Sequence, residues 1–165
     1  MPRAPLRRFE YEFGKINSKE EAQELANRAQ KELQKRKQEL LRELEKRIFI
    51  NEKPIDDFMS SVVFTISTPT KQNIANIRCT SFGDVLNLDK LSVGMFSKPT
   101  DFFRKLGVSR ILLHRVIKWA RMNNIKRITL DCETELIPFY EKFGFKEFPE
   151  NLRDHSQLWS LYLDL

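Results

Sequence analysis

Apolar and charged positions alternate with period two at the start of the chain: Phe9, Tyr11 and Phe13 in "RFEYEFGKI" (8–16) predict a half-buried strand. The pattern then changes period. From Ser18 to Ile48 the chain holds no Gly or Pro. It carries a Ser18/Glu21 capping box, acids in its first turn and Lys46-Arg47 at its end, which predicts one long charged helix, roughly 45 Å if unbroken. Glu24–Arg28, Glu32–Arg36 and Glu43–Arg47 are i,i+4 pairs of favourable sign. The apolar stripe of this helix (Ala22, Ala26, Ala29, Leu33, then Leu40, Leu44, Ile48) is interrupted by "QKRKQE". Nine basic residues against seven acidic ones between 18 and 48 make a solvated helix rather than a nucleic-acid arm.

Further on, "MSSVVFTIST" (59–68) and "NIANIRCTSF" (73–82) are β-branched, apolar and separated by Pro69-Thr70-Lys71-Gln72, which predicts a hairpin. "VLNLDKLSV" (85–93) alternates but slips phase around Asp89-Lys90, as a bulged third strand would. Residues 108–123 read as a helix facing inward with Val108, Ile111, Leu112, Val116, Trp119 and Ala120. "KRITLDC" (126–132) follows as a strand. "ELIPFYEKF" follows as a helix with Pro138 in its first turn and Gly144 at its C-terminus, and "FKEF" and "LWSLYLDL" as closing strands. The order β-α-β-β-β-α-β-α-β-β describes an α/β (α+β) fold: a mixed, mostly antiparallel twisted sheet flanked by helices, with a long N-terminal charged helix. The expectation is a single domain over 1–165, in which 1–50 give the first strand and long helix and 59–165 the sheet core with its site.

Composition narrows the class. The chain has 165 residues, enough for one buried core, and no apolar run approaches the length of a membrane span. Its basic start is not followed by an apolar signal segment, and its two cysteines, Cys79 and Cys132, form neither a disulfide framework nor a zinc motif; a reducing, cytoplasmic location is the expectation. His114 and His155 do not suffice for a metal site, and no metal is expected. The formal charge is +6, and residues 98–127 alone hold nine Lys/Arg against one Asp. So the basic excess lies on one stretch, "FRKLGVSRILLHRVIKWA", and points to an anionic partner there.

In that stretch a lone glycine in a basic loop opens a helix. Amides at a helix N-terminus and the helix dipole favour anions, and Arg104 and Lys105 would add charge-assisted contacts. A Walker loop would need Gly-Lys-Ser/Thr and a dinucleotide fingerprint two more glycines, and neither is present. The run Arg104-x-x-Gly107-x-Ser109, with Leu112-Leu113 following, resembles the acetyl-CoA pyrophosphate loop of the GNAT superfamily of acyl-CoA-dependent N-acyltransferases. The family pattern is Arg/Gln-x-x-Gly-x-Gly/Ala. "FYEKFGFKEF" (139–148), with Tyr140 four residues before Gly144-Phe145, is similar to the family's C-terminal signature. The resemblance covers about 59–165. This chain differs from the pattern in having Ser109, a longer loop at 94–103, and Glu133 where the family often has Asn.

The resemblance implies an N-acetyltransferase that uses acetyl-CoA as cosubstrate and moves its acetyl group to a primary amine, small molecule or protein, by direct attack in a ternary complex. It implies that Leu91 and Val93 offer backbone groups to the pantetheine arm and that the segment Arg104, Lys105, Leu106, Gly107, Val108, Ser109, Arg110 cradles the pyrophosphate. Tyr140 would be the general acid for the departing thiolate, and Glu133, beside the thioester, a base. Asp89 is a lesser candidate for base or substrate contact, while Asp84, Asp56 and Asp57 read as turn residues, His114 as helix surface and Cys132 as a buried strand thiol. No membrane or nucleic-acid partner is expected, and a homodimer through the long helix is conceivable. Two alternatives stay open: a non-catalytic module of the same fold acting through its helix, and a basic nucleic-acid-binding α/β protein.

Overall fold

The structure, a computed structural model, describes residues 18–67, 73–93, 106–149 and 158–165. The strand expected at 8–16, Arg104, Lys105 and His155 lie outside them. Contacts group the chain into two units, residues 1–40 and 41–165. The long helix, α1 (Lys19–Glu45), starts where its cap sequence places it, with the Glu21 N–H donating to Ser18 Oγ at 3.1 Å. Glu24–Arg28 (3.8 Å) and Glu32–Arg36 (3.3 Å) are paired. Glu43 is paired with Lys46 (2.7 Å) instead of Arg47, because the helix ends at Glu45. That contact holds the Glu43 carboxyl below its ordinary range. Ala26, Leu33 and Leu40, expected on an apolar stripe, are exposed.

In the second unit, Ile48–Pro54 is a strand (β1), although the helical pattern of the sequence runs on to Ile48. β-Branched and aromatic residues (Ile48, Phe49, Ile50) favour extended backbone, and pairing with β2 (Met59–Ser67) secures it. β2, β3 (Asn73–Phe82) and β4 (Val85–Val93) form an antiparallel meander. β5 (Arg127–Glu133) joins β4 in parallel, and β7 (Leu158–Asp164) and β6 (Lys146–Glu147) close the sheet in the order β1-β2-β3-β4-β5-β7-β6. The parallel pair needs a crossover, which α2 (Val108–Met122) provides.

The sheet is two-faced. Val62, Phe64, Ile66, Ile77, Cys79, Leu86, Leu88, Ile128, Leu130 and Leu161 alternate onto one face and are buried with Val108, Leu112, Leu113, Val116 and Ala120 of α2. Trp119 meets Phe64 edge-on at 5.8 Å. The inward face of α2 is broader than its periodicity suggests: Leu113 and Ile117 are buried, whereas Ile111 and Trp119 are only partly so. Among the described residues, no helix is long and apolar enough to cross a membrane.

Two features of this frame set up the site. The β3–β4 register jumps from Arg78↔Lys90 to Cys79↔Leu88, so Asp89 is the extra residue of the expected bulge. And β4 and β5 are paired only through Leu88↔Leu130, although β4 runs on to Val93 and β5 to Glu133. Beyond that rung the strands part into a fork.

Candidate active site

Gly107 sits at φ +90°, ψ 27°, the left-handed region, at the N-cap of α2. Its carbonyl accepts the N–H groups of Arg110 (3.1 Å) and Ile111 (3.3 Å), so the amides of Val108 and Ser109 open the helix with no acceptor inside it. Among the described residues, its chain neighbours apart, no atom lies within 4 Å of where a Cβ would stand. The positive φ is therefore what requires a glycine here. The side chains of Leu106 and Val108 enter the core, so these two could meet a ligand only through backbone; Ser109 and Arg110 face the groove described next.

On the other side of the fork, the short helix α3 (Ile137–Glu141) follows a 3₁₀ turn at Thr134–Leu136, with Pro138 in its first turn as expected. It ends in a Schellman arrangement: Phe145 N–H donates to Tyr140 O (3.3 Å) and Gly144 N–H to Glu141 O (2.9 Å), with Gly144 at φ +91°. The accompanying apolar contact is Tyr140 against Phe145, ring centroids 5.7 Å apart. This explains why a Tyr stands four residues before Gly-Phe: the motif fixes both the helix end and the place of the phenol.

A groove of about 580 Å³ runs from Gly107, Ser109 and Arg110 past Leu91 and Val93 to Glu133 and Tyr140. It brings together seven residues singled out in the sequence. A second cavity of about 290 Å³ occupies the fork, lined on one side by Leu88–Leu91 and on the other by Leu130–Glu133. The two cavities share Leu91, Glu133, Leu136 and Tyr140. So Tyr140 stands where a long groove on the α2 side meets a smaller opening between the strands. Sequence reasoning missed five groove residues: Glu135, Leu136, Phe139, Lys142 and Phe143. The i,i+4 spacing of Phe139 and Phe143, whose rings meet at 5.3 Å, was the available signal for the aromatic wall. His114 is exposed, as expected, and lies edge-on to Phe143 at 4.9 Å.

The groove carries charge of both signs. Arg110, at the start of α2, and Lys142 bring positive charge to its lining, and Glu133 and Glu135 negative charge. Burial, and then the neighbouring Cys132, push the Tyr140 phenol up to about 12 from an ordinary 10. It keeps its proton throughout the neutral range. Burial, then Asp131, Glu133 and Glu147, raise the Cys132 thiol to about 11, which makes it a poor nucleophile at neutral pH. Among the described residues, no group of three or more His, Cys, Asp and Glu side chains is placed to hold a metal ion.

Both shifts carry a stability consequence. A folded-state pKa above the unfolded value stabilises the protein below the unfolded pKa, near 9 for the thiol and 10 for the phenol. That contribution is lost as pH rises through about 11 and 12. The urea midpoint is therefore expected to fall between pH 8 and pH 10.5, and to fall less in Cys132→Ala; an equal fall in both proteins would remove the thiol from the account.

Comparison with known proteins agrees with this layout. The acetyltransferase (GNAT) family model matches residues 100–145, which contain the helix-opening glycine, β5 and α3. An uncharacterized N-acetyltransferase, ycf52, of Porphyra purpurea is 37% identical over 51 residues, which is 31% of this chain and 29% of that relative. Among solved structures, an acetyltransferase of Bacillus cereus superposes over 92% of this chain and 96% of its own, with a TM-score of 0.56 at 19% identity. The ribosomal-protein-S18-alanine N-acetyltransferase of Escherichia coli superposes over 74% and 83%, with a TM-score of 0.52 at 17% identity. At such identities the structures speak to fold alone: the chain has the fold of these acetyltransferases, and its similarity to the GNAT family model lies in the segment that carries the helix-opening glycine, β5 and α3.

Proposed function

We propose that this protein transfers the acetyl group of acetyl-CoA to a primary amine. The observation that carries the reading is the meeting of the two cavities at Tyr140: one, of about 580 Å³, reaches a helix N-terminus that would take the anionic end of the donor, and the other opens between parted strands for an acceptor. The residues present suit the donor. The amides of Val108 and Ser109, the side chains of Ser109 and Arg110 and the dipole of α2 would hold the pyrophosphate. Beyond Leu88, the β5-facing edge of β4 has no strand partner among the described residues, so the backbone at Leu91 and Val93 can pair with the amide groups of the pantetheine arm. Phe139 and Phe143 give that arm an apolar wall.

The chemistry then needs three things. The acceptor's neutral nitrogen attacks the thioester carbon, the C–S bond breaks with its electron pair leaving on sulfur, and one proton passes from nitrogen to sulfur overall. Tyr140 points the reaction by offering its phenolic O–H to the departing sulfur. Because that phenol is a weaker acid than a thiol, whose reference pKa is about 8.5, its main effect is hydrogen-bond stabilisation of the developing thiolate, with proton delivery completing the step. Glu133, which lines both cavities, would receive the proton of the incoming amine.

The test is ligand-linked stability. A ligand that binds only the native state at about 100 times its Kd stabilises by about 2.7 kcal/mol, and about 2–4 °C per kcal/mol is typical at this size. Acetyl-CoA at that excess is expected to raise Tm by roughly 5–10 °C. No shift with acetyl-CoA, CoA or longer acyl-CoAs would contradict the reading.

A further inference from the structure

Just below the fork, on the sheet face opposite α2, side chains from three strands are linked. Thr80 of β3, Asn87 of β4 and Thr129 of β5 occupy one cross-strand row. Thr129 Oγ1 donates to Asn87 Oδ1 at 2.8 Å. That occupies the amide oxygen and leaves its nitrogen to donate to Asp89 Oδ1 at 2.8 Å. Thr80 Oγ1 donates to the other carboxylate oxygen, Asp89 Oδ2, at 2.7 Å. Each oxygen of Asp89 thus has one donor and keeps further acceptor capacity.

Asp89 is also the bulge residue, freed from the ladder, and it lines the fork cavity. Exposed hydrogen bonds like these contribute little to stability. They do fix a carboxylate that would otherwise sample several rotamers, and a group oriented in advance loses less entropy when it binds. The other two carboxylates of the cavity differ. Asp131 is engaged by the Ser160 hydroxyl, and Glu133 lies at the junction with the donor groove, where the transferase reading already uses it.

We infer that Asp89, aimed by Thr80 and by the Thr129–Asn87 pair, first binds the acceptor amine as its ammonium on the acceptor side of the fork, with Thr80 and Asn87 as positioning residues; Glu133 of the same cavity then takes one proton, and the neutral nitrogen so formed is the one that attacks. The inference rests on the transferase reading and deepens it by naming the carboxylate that receives the acceptor. An oriented carboxylate against an ammonium, worth about 1.4 kcal/mol or more, corresponds to about tenfold in affinity.

The experiment has two arms. Calorimetric titration with acetyl-CoA is run on the wild type and on Asp89→Asn, Thr80→Val and Thr80→Ser, and initial rates are measured with spermidine and with n-butylamine as acceptors. The donor Kd is expected to stay within about twofold throughout. The amine KM should rise about tenfold in Asp89→Asn and several-fold in Thr80→Val, with smaller changes in kcat, and return toward wild type in Thr80→Ser. An unchanged amine KM in Asp89→Asn and Thr80→Val would overturn the inference. So would a wild type that binds acetyl-CoA yet acetylates neither amine. Failure of the wild type to bind acetyl-CoA would instead remove the transferase reading, and the inference with it.

Discussion

Replacing Tyr140 by Phe is expected to lower kcat by about 10²–10⁴-fold, the range for loss of a proton-donating side chain, while the donor Kd stays within about twofold. The magnitudes separate two roles of one residue. The ring packs against Phe139 (5.1 Å) and Phe145 (5.7 Å), and Phe keeps those contacts. Only the hydroxyl is lost, so neither the Schellman turn nor the aromatic wall should change. Because the phenol titrates near 12, its protonation is complete throughout an ordinary assay range. The pH–rate profiles of Tyr140→Phe and wild type are therefore expected to run parallel between about pH 6 and 9. A profile that loses an alkaline limb in the variant would mean a phenol with a pKa far below 12. A variant that loses donor binding along with turnover would assign Tyr140 to packing.

Gly107→Asp is expected to weaken acetyl-CoA binding by at least about 100-fold with a small effect on the fold. A non-glycine residue in the left-handed region costs roughly 1–2 kcal/mol, but a Cβ there meets no atom of the described residues beyond its chain neighbours, and an Asp at the helix N-cap recovers part of that cost. So Tm should move by only a few degrees. The new carboxylate, however, stands where a diphosphate must lie. A unit charge about 4 Å from another is worth about 1 kcal/mol in water and about 4 kcal/mol near a protein surface, and a diphosphate carries more than one. Gly107→Ala supplies the control, since it imposes the strain without the charge and should lose far less affinity. If the two variants bound the donor equally, no anion would be seated at this helix end.

Much of this was legible in the sequence, and where it was not, the reason is physical. The hairpin, the bulge at Asp89, the helix after Gly107 and the succession of elements from residue 59 onward follow from period-two and period-3.6 patterns, which are local. β1 was missed because "RIFINEKPI" follows a helix with no glycine or proline between them, and what makes it a strand is its neighbour β2, a non-local cause. The wide inward face of α2 was underestimated for a similar reason: how much of a helix is covered depends on the sheet beneath it, and here Leu113 and Ile117 are covered too. The motif residues Gly107, Ser109, Arg110, Glu133 and Tyr140 do share one groove. The sequence could not show that Leu106 and Val108 spend their side chains on the core, nor that Lys142 turns into the groove. The Thr80–Asp89–Asn87–Thr129 network was invisible too, since its members come from three strands and meet only through register.

The claim on which the rest depends is that one groove joins an anion seat at the start of α2 to the phenol of Tyr140. A crystal structure of the protein with CoA tests it most directly. The expected result is the pyrophosphate on the amides of Val108 and Ser109 beside Arg110, with the thiol sulfur within hydrogen-bonding reach of the Tyr140 hydroxyl. CoA seated elsewhere, or with its sulfur directed away from the fork between β4 and β5, would contradict it.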